Sequence, residues 1–501
     1  MSDAESLQEV LTYYGKWLQF NQRFLRIPGV QVAVYAGGSV AFSAAYGLAD
    51  VENDVPLTDR HLFRIASHSK TFTATAVLQL VERGRLRLDD QAEQHVPALT
   101  GSPLGERTLR ELLSHSAGVT RDGSAADWWQ LAEDFPDREQ LLAELRSPDA
   151  AVIPENERFK YTNLGYGLLG LVIEGATGTP YNDHVRSEII DKLGLPDLGP
   201  ELDPARNADY ATGYSALAYS DQRVPIGQAD TRALAPATGF SANAHDLVTA
   251  FAAHLPGDER LLTDRSKREM QHPVWQMGTK EWPKYGLGLQ ITQVGERRLI
   301  GHGGGYPGHI SRTLLDPEAG IAVSVLTNAI DGPASQLVEG FYKLHDLALS
   351  RERPERTAEL SRFTGRYAGL WGVTDIAELG GRLYAIGPTG ADPASDPVRL
   401  EADGDTLKVV DGPGLGAYGE YYRFSFDADG KVESLRDPGG LLLQPIERFT
   451  LPDRIPAASA SAPDQARAGK RVPDQSAALG AQPDHLRRTA ASSRGGSRGR
   501  G

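Results

Sequence analysis

The chain has 501 residues, a net charge of −14, 40% hydrophobic residues and no cysteine. That length accommodates two or three domains with a sizeable core. The missing cysteines exclude disulfides, thiolate metal sites and a cysteine nucleophile, and leave the redox compartment open. The charge divides into +6 over residues 454–501 and −20 over the remainder, a body that should repel nucleic acid and anionic membranes.

The N-terminal MSDAESLQEVLTYYGKWLQF is acidic and amphipathic, without the basic start and continuous apolar stretch of a secretory signal. No apolar run approaches the ~20 residues that span a bilayer. A cytoplasmic location is the expectation, with no membrane partner. Residues 8–26 are predicted helical, with apolar positions at Val10, Leu11, Tyr14, Leu18 and Phe24, and Pro28-Gly29 ends the element. Two short β-rich runs, Val30–Tyr35 and Ser39–Ala45, meet at Gly37-Gly38, a hairpin signal.

Next comes Ser67-His68-Ser69-Lys70, the single S-x-x-K of the chain, opening the amphipathic run 67–83, with Gly84 as its C-terminal stop. Residues three apart share a helix face, so the Ser67 hydroxyl and the Lys70 amine can sit together. Serine needs an adjacent base to act as a nucleophile. A lysine in a dry pocket gives up its proton more easily, because burial disfavours the charged form.

Residues 108–200 are expected to be mostly helical. The stretch 121–150 is read as an insertion whose Trp128-Trp129 pair packs in a helical lobe or walls a pocket. Tyr161-Thr162-Asn163 is the only Y-x-N. Strand-like runs return over 285–328 and include His302-Gly303-Gly304-Gly305, followed by a closing helix at 335–349. The order of strands, helices and strands predicts an α+β fold.

The RERPER segment, 351–356, is read as a linker. Residues 360–449 change to short alternating runs with a strong hairpin signal at Asp429-Gly430. From about 453 the composition reduces to Ala, Ser, Arg, Gly, Pro and Gln, too poor in large apolar side chains to offset chain entropy. That tail, ending SSRGGSRGRG, is read as an uninvolved disordered extension rather than an RNA-binding element. The expected organisation is a catalytic domain over 1–350, a small antiparallel β-barrel over 357–452 and a tail over 453–501.

Ser-x-x-Lys, then Tyr-x-Asn, then a basic residue followed by glycine: this order resembles the serine β-lactamase and penicillin-binding-protein superfamily. The similarity is strongest to the branch of class C β-lactamases, D-aminopeptidases, DD-carboxypeptidases and serine esterases, and it covers roughly residues 10–345. It implies an antiparallel sheet flanked by helices beside an all-helical lobe, with the active site between them, and a lipocalin-like C-terminal barrel that caps the catalytic cleft, packs or dimerises. On this resemblance Ser67 is the acylated nucleophile, Lys70 shapes the proton path, and Tyr161 accepts and returns the serine proton. Asn163 contacts substrate or orients Lys70. The oxyanion is held by the Ser67 N–H and by a donor after His302-Gly303-Gly304, expected at Gly305. Most β-lactamases and transpeptidases carry Lys where this chain has His302. A mostly neutral histidine favours substrates that need no carboxylate anchor.

The expectation is therefore a serine hydrolase acting on a small ester or amide or a short peptide, D-amino-acid peptides among the candidates. No cofactor or metal is expected, because His302 and His309 lack a carboxylate cluster. A homo-oligomer stays open. The alternatives are a β-lactamase or DD-carboxypeptidase, and a catalytically idle binding or sensor protein of the same fold. His68 and His115 are expected to be structural or wall residues.

Overall fold

The computed structural model describes residues 3–349, 360–413 and 416–451, so the 351–356 linker and the whole 453–501 tail lie outside the described residues. The chain divides into one compact unit, Met1–Phe449, and a second beginning at Thr450.

The N-terminal helix α1 (Asp3–Phe24) leads into the hairpin β1 (Gly29–Ala36) and β2 (Ser39–Asp50). The turn sits at Gly37-Gly38, both at positive φ. The helical lobe follows, and two of its helices position the site: α2 (Ser69–Glu82) and α3 (Leu164–Thr177). The chain then returns to the sheet as β3 (Gln290–Val294), β4 (Arg297–Tyr306), β5 (His309–Asp316) and β6 (Ile321–Thr327), and closes with helix α4 (Ala334–Ala348).

These strands form one antiparallel sheet of nine, in the order Val55–Pro56, β2, β1, β6, β5, β4, β3, Lys284–Tyr285, Trp275–Gln276. Strands from opposite ends of the catalytic segment therefore meet in the middle, with Val32 opposite Val325. Side chains alternate across a strand. In β6, Ala322 and Leu326 face the helical-lobe core, while Ile321, Val323 and Val325 face a second core built by α1 and α4. Every residue of β6 is buried, because both faces of the sheet are covered.

Helix α1 buries the stripe Val10, Leu11, Tyr14, Trp17 and Leu18, spaced for one helical face. The Tyr14 hydroxyl donates to the Leu337 carbonyl at 2.8 Å. The run 67–83, amphipathic in sequence, is more deeply placed than its pattern implies. Every residue from Ser69 to Leu80 is buried, and hydroxyls of Thr73 and Thr75 bond back to Ser69 O and Thr71 O. Polar residues survive there because each finds an internal acceptor.

The C-terminal segment is a closed barrel of eight antiparallel strands, β7 (Gly365–Gly369), β8 (Gly372–Leu379), β9 (Arg382–Ile386), β10 (Val398–Asp403), β11 (Thr406–Asp411), β12 (Tyr421–Phe426), β13 (Val432–Arg436) and β14 (Leu442–Pro445). Its interior is filled by Phe363, Tyr367, Leu383, Leu407, Phe424 and their neighbours, so it is a packed core. The barrel docks on α1 and α4. Ala377, Leu379, Tyr384 and Ile386 share their core, the Tyr13 hydroxyl donates to Asp375 at 3.0 Å, and Lys343 pairs with Asp392 at 2.7 Å. This is the face of the sheet away from the helical lobe. A groove of about 930 Å³ runs between α1 and the barrel.

Leu379 is fully buried where β8 meets α1 and α4. Leu379→Ala should lower stability by ~2–5 kcal/mol in urea unfolding, the usual range for truncating a buried leucine. A loss below ~0.5 kcal/mol would show that the barrel does not share the core of its neighbours.

Candidate active site

Ser67 sits between strand and helix. The short strand Phe63–Arg64 ends in a 3₁₀ turn over Ala66–His68, which runs into α2. Ala66 adopts φ +45°, a left-handed conformation unfavourable for a residue with a Cβ. The first bond of the turn is His68 N–H to Ile65 O, so the Ser67 N–H lies ahead of it, among the donors a helix start leaves over. Ser67 itself is half-buried, while His68, Ser69 and Lys70 are buried.

Two sequence-predicted residues converge on this hydroxyl. The Tyr161 hydroxyl donates to Ser67 Oγ at 2.8 Å, and Lys70 Nζ lies 3.3 Å from the same oxygen. Lys70 Nζ also donates to Asn163 Oδ1 at 2.7 Å and to the Ala237 carbonyl at 2.8 Å. Asn163 is thus brought against Lys70. Burial pushes the Lys70 amine well below the ordinary lysine range; Asp122 opposes that shift and Arg121 adds to it. Burial pushes the Tyr161 hydroxyl up, against the hydrogen bond with Ser67. Both groups are therefore held toward their neutral forms.

The glycine-rich strand β4 closes the other side. Gly304 packs on the turn before Ser67 so tightly that a Cβ there would stand 2.0 Å from Ile65 O. Beyond Gly301, which pairs with Gln290 of β3, the outer edge of β4 has no neighbouring strand among the described residues. Tyr306 and His309 close the β4–β5 hairpin across Pro307-Gly308. The alternation of an antiparallel ladder then directs the backbone groups of Gly303 and Gly305 toward the open edge. Gly305 is exposed there.

His302 is brought to the site but not to its surface. It is 1% exposed, with Nδ1 2.7 Å from Gly303 O and Nε2 3.1 Å from the Tyr285 hydroxyl. With Nδ1–H donating to the carbonyl, Nε2 accepts from the tyrosine, the neutral tautomer. Burial pushes its pKa well below the usual histidine range, with His68 and Lys70 acting in the same direction. His68 bonds Ile65 O and Thr313 Oγ1, each at 3.0 Å. His115 accepts from Thr162 N–H at 3.2 Å and lies under the Tyr161 ring, centroids 4.4 Å apart. His68 is structural and His115 is a wall of the site.

Sequence reasoning passed over Asp122, Tyr285 and the Ala237 carbonyl, and left the Trp128-Trp129 pair between lobe packing and a pocket wall. Asp122 Oδ1 accepts from Asn163 Nδ2 at 2.7 Å and from Trp129 Nε1 at 3.0 Å. Of the tryptophan pair, Trp128 packs in the lobe core and Trp129 reaches the site. Asp122, six residues ahead of that pair, lies in no motif that would mark it.

A serine, a buried lysine and a tyrosine placed between an antiparallel sheet and a helical lobe define the β-lactamase-like class of fold. The beta-lactamase family model matches residues 19–345, and the chain belongs to that family. It is 28% identical over 317 residues to a penicillin-binding protein of Bacillus subtilis (strain 168), covering 60% of this chain and 67% of that one. The chain spans only 62 to 67% of the length of the curated relatives it matches first. Among solved structures, an octameric penicillin-binding protein homologue from Pyrococcus abyssi superposes with TM-score 0.62 at 25% identity, covering 86% of this chain and 99% of that one. SurE with D-Leu gives TM-score 0.55 at 26% identity, covering 88% and 100%.

Burial holds other rings neutral too. His309 has its pKa pushed down to about 3, mainly by burial, and neither ring nitrogen has a hydrogen-bond partner. It packs edge-on against Phe63, centroids 5.7 Å apart. The unfolded ring titrates near 6.5, so His309 leaves stability unaffected above that pH. Below it the unfolded chain binds a proton that the folded ring refuses, and stability falls by up to ~1.4 kcal/mol per pH unit until the folded pKa is reached. His309→Phe should therefore flatten the acid loss of stability between pH 6.5 and 5, measured by thermal unfolding. An unchanged slope in a folded variant would place the protonated ring in the native state.

Proposed function

We propose that this protein is a serine hydrolase that cleaves an ester or amide bond through an acyl-enzyme on Ser67. The observation that carries the reading is the double engagement of one hydroxyl, with the Tyr161 phenol at 2.8 Å and the Lys70 amine at 3.3 Å.

The proton path follows from hydrogen-bond valence. A neutral amine has two hydrogens and one lone pair. Lys70 spends its two hydrogens on Asn163 Oδ1 and Ala237 O, which turns the lone pair toward Ser67 Oγ. In this reading Lys70 takes the serine proton as Oγ attacks the carbonyl carbon. The oxyanion is held by the N–H groups of Ser67 and Gly305. Tyr161 passes its proton to the leaving group and is refilled from Lys70. Water then attacks the acyl carbon by the reverse path, and the carboxylic product leaves Ser67 protonated.

Specificity in this reading turns on His302. A neutral ring with both nitrogens engaged offers no fixed cation to a substrate carboxylate. Esters, amides and D-amino-acid peptides recognised through a free amine are the favoured class, and the D-Leu named with the SurE structure supports the last of these. β-Lactams or D-Ala-D-Ala peptides are the second reading. Its specific support is Arg121, an exposed cation 5.8 Å from the Tyr161 ring, though Asp122 already pairs with it at 3.1 Å. The octameric state named for the Pyrococcus abyssi homologue supports self-association of this chain as well.

A fluorophosphonate probe should label wild-type protein and not Ser67→Ala, with the fold retained. Tyr161→Phe should reduce kcat by ~10²-fold or more, the scale of general acid–base catalysis. p-Nitrophenyl esters and D-aminoacyl anilides should be hydrolysed far faster than nitrocefin. Unlabelled wild-type protein would leave an idle scaffold, and nitrocefin turnover equal to ester turnover would favour the second reading.

A further inference from the structure

The mechanism leaves unused a buried carboxylate that stands behind Lys70. Asp122 is 9% exposed, lies in no helix or strand, and stands behind the amide that holds Lys70. Its carboxylate can only accept hydrogen bonds. Oδ1 receives Asn163 Nδ2 at 2.7 Å and Trp129 Nε1 at 3.0 Å, and Oδ2 faces Arg121 Nε at 3.1 Å. We propose that Asp122 is a positioning residue for the nucleophile's base, fixing the Asn163 amide so that its oxygen, not its nitrogen, meets Lys70. This deepens the hydrolase reading of the same site and rests on it.

The geometry excludes the flipped amide. Reversing Asn163 would set its NH₂ against the hydrogens of Lys70 Nζ and its oxygen against the Asp122 carboxylate, two repulsions in place of two hydrogen bonds. The carboxylate therefore determines which atom Lys70 sees, and through it where the amine's lone pair points.

The same carboxylate acts on the amine through its charge. The Tyr161 and Tyr166 rings lie 4.8 and 5.5 Å from Nζ, and burial pushes both hydroxyls up, keeping them neutral. The same cause pushes His115 and His302 down and keeps them neutral. Arg121 is a cation whose side chain is 67% exposed, so water screens it. Asp122 is left as the charge that opposes desolvation of Lys70. Without it the amine would lose its proton at lower pH and would be a weaker base when it met the serine proton.

The test is a titration of Lys70 itself. Protein carrying [ε-¹³C]lysine is titrated by NMR, with the Lys70→Met spectrum assigning the signal. In Asp122→Asn, where the side-chain oxygen can still receive Asn163 and Trp129, the Lys70 midpoint should fall by about one unit. The acid limb of kcat/KM should move the same way, to lower pH, while the plateau drops about tenfold. Arg121→Gln removes an exposed cation with little risk to folding and should raise the midpoint. A folded Asp122→Asn protein with an unmoved midpoint overturns the proposal, even where Tm and activity fall, because those losses alone mean loop anchoring. If no fluorophosphonate labels the wild type yet the midpoint still shifts, the hydrolase reading fails and the Asp122 coupling stands.

Discussion

The burial of one lysine amine is the constraint around which this site is arranged. An ammonium taken out of water without compensation is prohibitively unfavourable, so a buried lysine either finds a full set of acceptors or gives up its proton. Lys70 is completely buried, and its neighbours are built to suit an amine that can do both. Asn163 Oδ1 and Ala237 O receive two hydrogens, and the third direction belongs to Ser67 Oγ. No carboxylate bonds to the amine directly. Asp122 is kept one amide away, where it moderates the desolvation without capturing the proton.

That requirement explains why the site needs contributions from so much of the chain. Serine and lysine come from one helical turn, which is why their pairing was legible from spacing alone. Tyr161 and Asn163 stand 94 and 93 residues away along the chain from the groups they bond, and Ala237 stands 167 away. The Y-x-N motif exposed the first two. The third is a backbone carbonyl, which no side-chain pattern marks. Asp122 was invisible for a related reason. Its meaning lies in a contact with Asn163 across 41 residues, and the insertion that carries it has little periodic pattern to locate it.

The fold was legible wherever the side-chain period was clean. The stripe of α1, the Gly37-Gly38 hairpin, the strands over 285–328 and the Asp429-Gly430 turn all appear where the pattern put them. The burial of α2 on every side was not legible, because the hydroxyls of Thr71, Thr73 and Thr75 can be buried only against internal acceptors that the sequence pattern does not reveal. Nor was the docking face of the barrel. Its strands alternate for their own filled interior, and only the apolar outward positions Ala377 and Leu379, with Tyr384 and Ile386, reveal that one side is covered by α1 and α4.

His302 ties the two faces of this reasoning together. Members of the superfamily with lysine at the third motif place a second ammonium near the first. Here the ring is neutral, chiefly through burial, and His68 and Lys70 help to keep it so. Two buried cations would each depress the proton affinity of the other. A neutral residue at 302 spares Lys70 that repulsion, so a single carboxylate held at one remove suffices to keep the amine basic. In the proposed hydrolase, the residue that removes an anchor for a substrate carboxylate would thereby simplify the electrostatics of the base. Specificity and proton transfer would then be linked, because both would be set by how many positive charges the same dry volume must hold.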